Sequence, residues 1–492
     1  MDAPLTPADG SPAPTPAPSG APADPAFGAA LKDRPVCVAG LGVSGPPVAR
    51  VLLAHGARVS VVDAREDDAT LETARRLRAE GARVLLGEHT LPEGTDLVVT
   101  SPGWRPDAPL LVQAGEAGIE VIGDVELAWR LRPAGQRWLA VTGTNGKTTT
   151  VRMLEAMLRA DGRDAVAVGN VGTPVVEAAL PGESDPAPAL LAVELSSFQL
   201  HWSSTIAPHA AAVLNVAPDH LDWHGGLEPY ALAKGRIYAP GTLRVANADD
   251  PWSSHLAETA GDPGTPLHGF TLATPRAGQL GVVEDLLVDR AFVADPHSGA
   301  EELAGLADVV PAAPHNVANA LAAAALARSV GAAPAAVRAG LAAFAPEPHR
   351  MARLGSVAGV DYVDDSKATN PHAAAAALSA FASVVWVAGG LLKGAEVEDL
   401  VREAAPRLRA AVLMGRDREP LREALARYAP GAEVVEIGAL GDDAMPEVVA
   451  AAAGLARPGD TVLLAPAAAS MDMFTDYKDR GRRFAAAVAA RG

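Results

Sequence analysis

Cysteine and long apolar runs are almost absent from this sequence of 492 residues. The one cysteine, Cys37, excludes an intramolecular disulfide framework and a cysteine-based zinc cluster. No apolar run reaches the roughly 18 residues that a membrane-spanning helix needs. The N-terminus also lacks the basic segment and the apolar stretch of a signal peptide. We therefore expect a soluble, cytoplasmic protein with no membrane partner.

Basic residues are outnumbered by acidic ones. The chain has 41 Lys and Arg against 59 Asp and Glu, a formal net charge of −18. Because such a chain repels the phosphate backbone of nucleic acids, we expect no nucleic-acid partner. Hydrophobic residues make up 49% of the sequence, which is enough for several cores. The length exceeds that of one compact domain.

Segments rich in proline and small residues divide the chain. Residues 1–32 are predicted to be a disordered tail, because most of them lack the large apolar side chains that would offset chain entropy. Residues 181–188 are predicted to be a loop, and residues 260–314 an irregular region. Proline-containing breaks near 132–136 and 345–348 indicate three domains, at 33–133, 134–346 and 347–492.

Elsewhere, short apolar runs alternate with longer helical patterns. The predicted strands are 35–39, 58–62, 96–100, 138–142, 190–194, 211–215, 384–388, 411–414 and 461–464. The predicted helices are 47–54, 71–80, 149–159, 317–330, 397–405, 447–455 and 474 to the end. Apolar strands between helices are typical of parallel sheets covered on both faces, so the predicted fold class is α/β.

A glycine-rich turn follows the first predicted strand. Gly40, Gly42 and Gly45 have the spacing of a dinucleotide-binding fingerprint, and Asp63 follows at about twenty positions, where it would meet a ribose hydroxyl. Glycines here let backbone N–H groups approach a diphosphate at a helix N-terminus. The pattern does not say which nucleotide binds, and the glycines could simply pack a strand against a helix.

A second glycine-rich turn follows the strand predicted at 138–142. It reads Gly143, Thr144, Asn145, Gly146, Lys147, Thr148 and Thr149. Such a turn cradles phosphates with its backbone, Lys147 adds a positive charge, and the Thr148 hydroxyl can reach Mg²⁺. Val141 stands where the usual pattern has its first glycine. The flanking strand and helix favour a phosphate-binding loop over an ordinary turn.

Together with the first glycine turn, nine motifs in order resemble the Mur ligase family, and the resemblance covers the chain from about residue 33 to the end. They are Gly-Thr-Asn-Gly-Lys-Thr-Thr (143–149), Gly-Asn-Val-Gly-Thr-Pro (169–174), Glu-Leu-Ser-Ser-Phe-Gln-Leu (194–200), Asn-Val-Ala-Pro-Asp-His-Leu-Asp (215–222), Ala-Lys-Gly-Arg-Ile-Tyr (233–238), His-Asn-Val-Ala-Asn-Ala (315–320), His349-Arg350, Asp-Asp-Ser-Lys-Ala-Thr-Asn (364–370), and 467–474 with Arg480-Gly481.

The resemblance implies three domains: an N-terminal Rossmann-like UDP-binding domain, a central P-loop ATPase-like domain with a parallel sheet, and a C-terminal Rossmann-like domain that binds an amino acid. It implies an ATP-dependent amide ligase that adds D-glutamate to UDP-N-acetylmuramoyl-L-alanine through an acyl phosphate, in peptidoglycan biosynthesis. The implied cofactors are ATP and Mg²⁺, the partners are these small-molecule substrates, and the expected state is a monomer.

The resemblance also implies roles for individual residues. Glu194 and Thr148 would hold one Mg²⁺, His220 would help to bind a second, and a carbamylated Lys234 would be a further ligand. Arg350 and Lys367 would reach the γ-phosphate. From the residues alone, His220 could equally belong to a polar turn, and Lys234, Arg350 and Lys367 to a solvated surface. Asn316 and Asn319, three apart at a helix start, can bracket an adenine edge, although Asn316 could also simply cap the helix.

Two substrate sites follow from the same motif positions. The residues expected to contact the UDP substrate are Gly40, Gly42, Ser44, Gly45, Asp63, Arg65, Ser101, Gly103 and Asn170. Those expected to contact D-glutamate are Thr369, Lys393, Ser470, Met471 and Tyr477. No Asp-Asn-Pro-Arg block, which marks the diaminopimelate- or lysine-adding ligases, is present.

Three other functions remain open on the sequence. A folylpolyglutamate synthetase-like enzyme shares the second loop but does not need the first domain. An NAD-dependent oxidoreductase would use the first loop but leaves Lys147 and Glu194 without a role. A nucleotide-switch protein is disfavoured, because no Asn-Lys-x-Asp motif is found.

Overall fold

The computed structural model describes residues 25–170, 172–180, 187–438 and 444–491. It contains three sheets that follow one another along the chain, and helices connect their strands. The predicted α/β class is therefore confirmed. Within the described ranges, every helix is too short or too polar to span a bilayer.

The first sheet has five parallel strands in the order β3-β2-β1-β4-β5. Its strands are β1 (Pro35–Ala39), β2 (Arg58–Asp63), β3 (Arg83–Leu86), β4 (Leu97–Thr100) and β5 (Glu120–Gly123). The associated helices are α1 (Pro25–Ala30), α2 (Gly45–Ala54), α3 (Asp68–Ala79), α4 (Pro109–Glu116) and α5 (Asp124–Leu131).

The second sheet has nine strands, in the order β14-β13-β12-β11-β10-β9-β6-β8-β7. They are β6 (Arg137–Thr142), β7 (Ala165–Gly169), β8 (Leu190–Glu194), β9 (Ala210–Val213), β10 (Leu243–Asn247), β11 (Leu267–Phe270), β12 (Gln279–Val283), β13 (Leu286–Asp289) and β14 (Glu301–Gly305). The helices are α6 (Lys147–Ala160), α7 (Val175–Ala178), α8 (Ser197–His201), α9 (Leu221–His224), α10 (Leu227–Gly235), α11 (Pro251–Thr259), α12 (Pro314–Ser329) and α13 (Pro334–Ala343).

The third sheet has six strands, in the order β15-β16-β20-β17-β18-β19. They are β15 (Ala352–Val357), β16 (Val360–Asp364), β17 (Val384–Ala388), β18 (Leu408–Leu413), β19 (Glu433–Glu436) and β20 (Thr461–Leu464). The helices are α14 (Pro371–Ser379), α15 (Glu398–Ala404), α16 (Arg418–Tyr428), α17 (Ala444–Leu455) and α18 (Tyr477–Ala489).

Fully buried central strands explain why the sites lie at strand ends. Strand β8 is buried over all five residues, and so is β17. A strand covered on both faces offers no side chain to a ligand along its length, so polar groups become available where it ends. In the second sheet, β9, β6 and β8 are parallel neighbours, so their carboxyl ends meet at one edge.

The region predicted to be irregular at 260–314 contains four strands, β11 to β14, so that prediction is wrong. Strands β12 and β13 form a hairpin around Glu284 and Asp285. Glu284 takes a positive φ of 54°, a conformation that glycine or asparagine usually supplies. The sequence therefore lacks the usual hairpin signal at this turn.

The start of the first domain also differs from the prediction. Residues 25–30, placed in the disordered tail, form helix α1, and Leu31 is fully buried. Phe27 packs into the first core and lies 5.2 Å below the Arg130 guanidinium. Two apolar side chains spaced four apart are enough to dock one helical turn. Residues 1–24, and residues 181–186 of the predicted loop, lie outside the described residues.

Candidate active site

The first glycine turn joins β1 to α2 by a very close backbone approach. Gly40 has φ +103°, a left-handed conformation that favours glycine. A Cβ on Gly45 would overlap the carbonyl oxygen of Gly40. Both glycines are therefore required by the turn itself, in which Gly42 and Val43 are the exposed residues.

Asp63, expected to meet a ribose, also holds this turn. Its carboxylate accepts hydrogen bonds from Leu41 N at 2.7 Å, from Arg65 N at 2.8 Å and from the Arg65 guanidinium at 2.9 Å. Burial raises the pKa of Asp63, but the hydrogen bonds from Arg65 and Leu41 outweigh it, so the pKa lies below its usual value. Asp63 is therefore a fixed anion at the end of β2.

An open cleft in the first domain collects most of the predicted UDP-binding residues. They are Gly40, Gly42, Ser44, Asp63, Arg65, Ser101 and Gly103. Trp104, which no sequence motif indicated, also lines the cleft. Gly45 lies beneath the turn, in contact with Gly40. Asn170 lies instead beside the second sheet, where its amide donates to Glu194 at 3.0 Å.

The second glycine turn, between β6 and α6, has the lysine folded over it. Lys147 Nζ donates to the carbonyl oxygens of Gly143 at 2.8 Å and Thr144 at 2.9 Å. Gly146 has φ +86°, and a Cβ there would overlap Asn319 Oδ1. The predicted adenine contact Asn319 is thus packed directly against the predicted phosphate loop.

Glu194 lies at the carboxyl end of β8 and is the centre of a polar network. The Thr148 hydroxyl donates to Glu194 Oε2 at 2.8 Å, while Asn170 donates to Oε1. Arg350, from the chain that leads into the third sheet, donates to the Thr148 hydroxyl oxygen at 2.7 Å. The structure therefore brings together a loop hydroxyl, a buried carboxylate of the same domain and a cation from the following domain, 202 residues from Thr148.

Lys234 is almost entirely buried, at 1% exposure, and lies against the same turn. Its Nζ donates to the Gly143 carbonyl at 2.8 Å and lies 4.3 Å from the centre of the Tyr230 ring. Burial and the neighbouring Lys147 charge lower the pKa of Lys234 well below its ordinary value, against a smaller opposing effect of Asp219 and Glu194. Burial also lowers the pKa of Lys147.

His220 lies in the loop after β9, with a positive φ of 53°. Its ring packs edge-on against Phe198 at 4.8 Å, and Nε2 is 3.7 Å from the Asp219 carboxylate. Burial lowers the pKa of His220, and the Asp219 charge opposes that shift. A neutral imidazole is the form that ligates metals.

The donor atoms around Glu194 suit Mg²⁺. No cluster of three or more His, Cys, Asp or Glu side chains that could hold a metal occurs in the described part of the chain. Mg²⁺ does not need such a cluster, because it is usually held by one or two protein oxygens together with substrate phosphates and water. A buried carboxylate beside a loop hydroxyl, as in Glu194 and Thr148, fits that requirement.

A cavity of about 280 Å³ lies between the second and third sheets. It is lined by Asn145, Gly146, Thr149, Asn316, Asn319, Arg350 and Lys367, among other residues. Burial lowers the pKa of Lys367 to about 8, and its Nζ lies 4.0 Å from the centre of the Tyr477 ring. The predicted nucleotide-binding residues of two domains thus face one cavity.

The residues predicted to bind D-glutamate lie on loops at one edge of the third sheet. Thr369 follows β16, Lys393 follows β17 and Ser470 follows β20, and these three strands run parallel side by side. Leu391 and Ala469 exchange two backbone hydrogen bonds, which join two of these loops. Ser470 is buried, whereas Met471 is 62% exposed and Lys393 is exposed.

Arg480 fixes these loops to one another, a role that the sequence did not indicate. Its buried guanidinium donates to Ser366 Oγ, to Ser366 O and to Ala468 O at 2.9, 2.8 and 3.1 Å. Burial lowers the pKa of Arg480 to about 9. The motif pair Arg480-Gly481 was the available signal, but only the packing shows which loops the arginine joins.

Three family models match the chain in order. Residues 34–123 match the Mur ligase MurD-like N-terminal domain, residues 141–327 the Mur ligase middle domain, and residues 349–468 the Mur ligase glutamate ligase domain. Each match falls on one of the three sheets.

Full-length relatives and solved structures agree with these matches. A UDP-N-acetylmuramoylalanine–D-glutamate ligase of Thermobifida fusca (strain YX) is 70% identical over 461 residues, covering 94% of this chain and 99% of that protein. The enzyme of the same name from Streptomyces coelicolor is 56% identical over 460 residues, 92% of this chain and 97% of its own length.

The fold is shared with a UDP-N-acetylmuramate-alanine ligase of Thermotoga maritima, with a TM-score of 0.54 at 20% identity over 93% of this chain and all of that one. It is shared also with a pseudomurein peptide ligase type C of Methanothermus fervidus, with a TM-score of 0.56 at 19% identity and the same coverage. The chain belongs to the Mur ligase family.

Proposed function

We propose that this protein joins D-glutamate to UDP-N-acetylmuramoyl-L-alanine at the expense of ATP, in peptidoglycan biosynthesis. One observation carries the proposal: the Thr148 hydroxyl lies between the Glu194 carboxylate at 2.8 Å and the Arg350 guanidinium at 2.7 Å. That arrangement suits a triphosphate gripped between two domains. The relatives that are 70% and 56% identical carry the name of this reaction and so support the choice of substrates.

The first step activates a carboxylate, which by itself is a poor electrophile. A carboxylate oxygen of UDP-N-acetylmuramoyl-L-alanine attacks the γ-phosphorus of ATP, the bond to the bridging oxygen breaks, and ADP leaves with that electron pair. Backbone N–H groups of the turn at 143–149 cradle the phosphates. Lys147, Arg350 and Lys367 neutralise the negative charge that would otherwise keep the two anions apart.

The second step forms the amide. The D-glutamate ammonium loses one proton to solvent, its amine nitrogen attacks the acyl carbon, and the bond from that carbon to the phosphate oxygen breaks. The second proton of the nitrogen leaves with the inorganic phosphate. Thr369, Lys393, Ser470 and Tyr477, with the backbone near Met471, would hold the two carboxylates of D-glutamate. Water must be excluded during this step because the acyl phosphate would hydrolyse, and closure of the third domain over the cavity serves that purpose.

Mg²⁺ would be held by Glu194 and Thr148, with His220 and a modified Lys234 at a second position. When bound, it would neutralise charge on the β- and γ-phosphates. Asn316 and Asn319 would contact the adenine, and the first cleft with Asn170 would contact the UDP substrate.

We propose that Lys234 is carbamylated. Its nitrogen would attack CO₂ and release a proton, which replaces an ammonium with an anionic carbamate. The attack requires a neutral amine, and burial lowers the pKa of Lys234 well below its ordinary value, which supplies that form. A carbamate would also relieve the repulsion between Lys234 and Lys147.

We further propose domain boundaries at 33–133, 134–346 and 347–492, which contain the three family matches. A monomer in the cytoplasm would suffice, because one chain carries all three sets of binding residues and ATP is a cytoplasmic substrate.

Release of ADP by the purified protein tests the function. We expect release that depends on UDP-N-acetylmuramoyl-L-alanine together with D-glutamate, and little release with L-glutamate or diaminopimelate. Lys147→Ala should abolish it in a folded protein, whereas Lys32→Ala, an exposed lysine of the first domain, should not. Preference for diaminopimelate, or full activity of Lys147→Ala, would overturn the proposal.

A further inference from the structure

Two asparagines connect the second glycine turn to the third domain. Asn145 Nδ2 donates to Asn370 Oδ1 at 3.3 Å, and Asn370 Nδ2 donates back to Asn145 Oδ1 at 3.2 Å. The two residues are 225 positions apart in the chain. This reciprocal amide pair is a direct link between the nucleotide loop and the domain that carries the amino-acid loops.

A histidine completes the contact. Asn145 Nδ2 lies 2.9 Å from His372 Nδ1. An amide nitrogen only donates, so His372 Nδ1 accepts, and the neutral ring carries its proton on Nε2. His372 stands at the exposed rim of the cavity between the two sheets. Asn145 therefore holds two residues at the start of α14.

Both sides of this contact are held by further hydrogen bonds within their own domains. On the loop side, Asn145 N donates to Asn215 Oδ1 at 2.9 Å, and Asn215 Nδ2 donates to Asn145 O at 3.1 Å. On the other side, Asn370 Oδ1 caps α14 by accepting from Ala373 N at 2.8 Å. A displacement of the loop backbone or of the start of α14 therefore acts directly on this contact, because each side is hydrogen-bonded within its own domain.

The contact also lies close to groups with proposed roles. Asn370 directly follows Thr369 and is three residues after Lys367, on the loop that follows β16. The same Asn370 amide lies 3.5 Å from the Asp219 carboxylate, beside His220. Asn370 thus connects the loop that carries Lys367 and Thr369 to the nucleotide loop.

We propose that Asn145, Asn370 and His372 form an interdomain clasp that positions the acceptor loop against the nucleotide loop, with His372 as its outer positioning residue. The clasp deepens the proposed function and rests on it. The backbone of Asn145 would bind phosphate, and its side chain would connect the nucleotide loop to Asn370 and His372. The clasp acts on closure of the third domain, so it affects capture of the amino acid and phosphoryl transfer more than binding of nucleotide to the open enzyme.

The kinetic test is a double-mutant cycle with His372→Ala and Asn145→Ala. For His372→Ala we expect kcat/KM for D-glutamate to fall about five- to tenfold, as for loss of one hydrogen bond. The dissociation constant for ATP, measured by calorimetry without the other substrates, should change less than about twofold. The combined loss should be smaller than the product of the single losses, because the two side chains contact each other.

Two further variants separate positioning from general damage. His372→Gln keeps an acceptor at the same place and should recover part of the loss. His255→Ala, an exposed histidine on α11 that packs near Trp252, is the matched control and should behave as wild type. The clasp would be overturned if the loss in the double mutant equalled the product of the two single losses. It would also be overturned if His372→Ala lowered ATP affinity and kcat/KM for D-glutamate by the same factor.

A measurement without turnover keeps the clasp distinct from the proposed reaction. Spin labels at Glu258→Cys on α11 and Glu423→Cys on α16 report the distance between the second and third domains, and buried Cys37 should stay unlabelled. With a non-hydrolysable ATP analogue we expect a narrow distance distribution that broadens in His372→Ala. The same distance distribution in wild type and His372→Ala would contradict the clasp. If the distribution broadens as expected but the protein shows no ligase activity, only the proposed reaction is refuted.

Discussion

Lys147 and Lys234 donate to the same acceptor, the carbonyl oxygen of Gly143, each at 2.8 Å. Two ammonium groups that converge on one oxygen repel each other, and burial lowers the pKa of both. Such an arrangement is suited to a site that receives negative charge. A triphosphate would draw Lys147 away from the carbonyl, and a carbamate on Lys234 would remove one of the two positive charges.

Replacing Lys234 tests whether this residue carries a carbamate. Lys234→Ala should lower kcat roughly 10²–10³-fold, the usual cost of removing one preorganised charged group. If the group is a carbamate, acetate or propionate added to the Lys234→Ala protein should restore part of the activity, whereas methylamine should not. Wild-type kcat in Lys234→Ala, or rescue by the amine alone, would contradict a carbamate at this position.

Replacing Glu194 tests the proposed metal site. Glu194→Gln keeps the size of the side chain and its hydrogen bond with Thr148 but removes the negative charge. The Mg²⁺ concentration needed for half-maximal activity should rise at least tenfold, since a neutral amide is a weak ligand for a hard cation. Glu433→Gln, at an exposed position on β19, is the control. The same Mg²⁺ dependence in both variants would place the metal elsewhere.

The lowered pKa of Lys367 predicts that the activity of the enzyme depends on pH. Its pKa is lowered to about 8 by burial, so the free enzyme loses this positive charge as pH rises through that value. We expect kcat/KM for ATP to fall on the alkaline side from about pH 8. In Lys367→Arg the decline should move to higher pH, because a guanidinium stays protonated. An unchanged alkaline limb in Lys367→Arg would assign the titration to another group.

The hydrogen bonds of Glu126 predict that this residue stabilises the junction of the first two domains. Its fully buried carboxylate on α5 accepts hydrogen bonds from Ser204 N at 3.0 Å, from Thr205 N at 3.1 Å and from the Arg130 guanidinium at 2.8 Å. Glu126→Ala should lower the free energy of unfolding by about 3 kcal/mol, since buried donors and a cation lose their partner.

Urea denaturation of Glu126→Ala, with exposed Glu258→Ala as control, measures this loss. A change below about 0.5 kcal/mol, the usual range for a surface substitution, would show that water replaces the carboxylate.

The two glycine turns could be predicted because their signals are local. Gly40 and Gly146 have a positive φ, and a Cβ on Gly45 would overlap the Gly40 carbonyl, so these requirements arise within each turn. The strands before these turns were predicted for the same reason, since a buried parallel strand is a continuous apolar run. The strands between 267 and 305 were missed because their turn uses Glu284 at a positive φ and because they pair with one another at the edge of the sheet, where alternation is weak.

The amino-acid sequence by itself determined the fold class, the family and the positions of both glycine turns, because apolar runs, short motifs and turn glycines can each be recognised within a few consecutive residues. The tertiary structure alone decided that Arg350 reaches Thr148, that Arg480 ties two loops together and that His372 meets Asn145 across 227 residues. Such contacts depend on how whole sheets pack, and no local pattern of side chains encodes the distance between two domains.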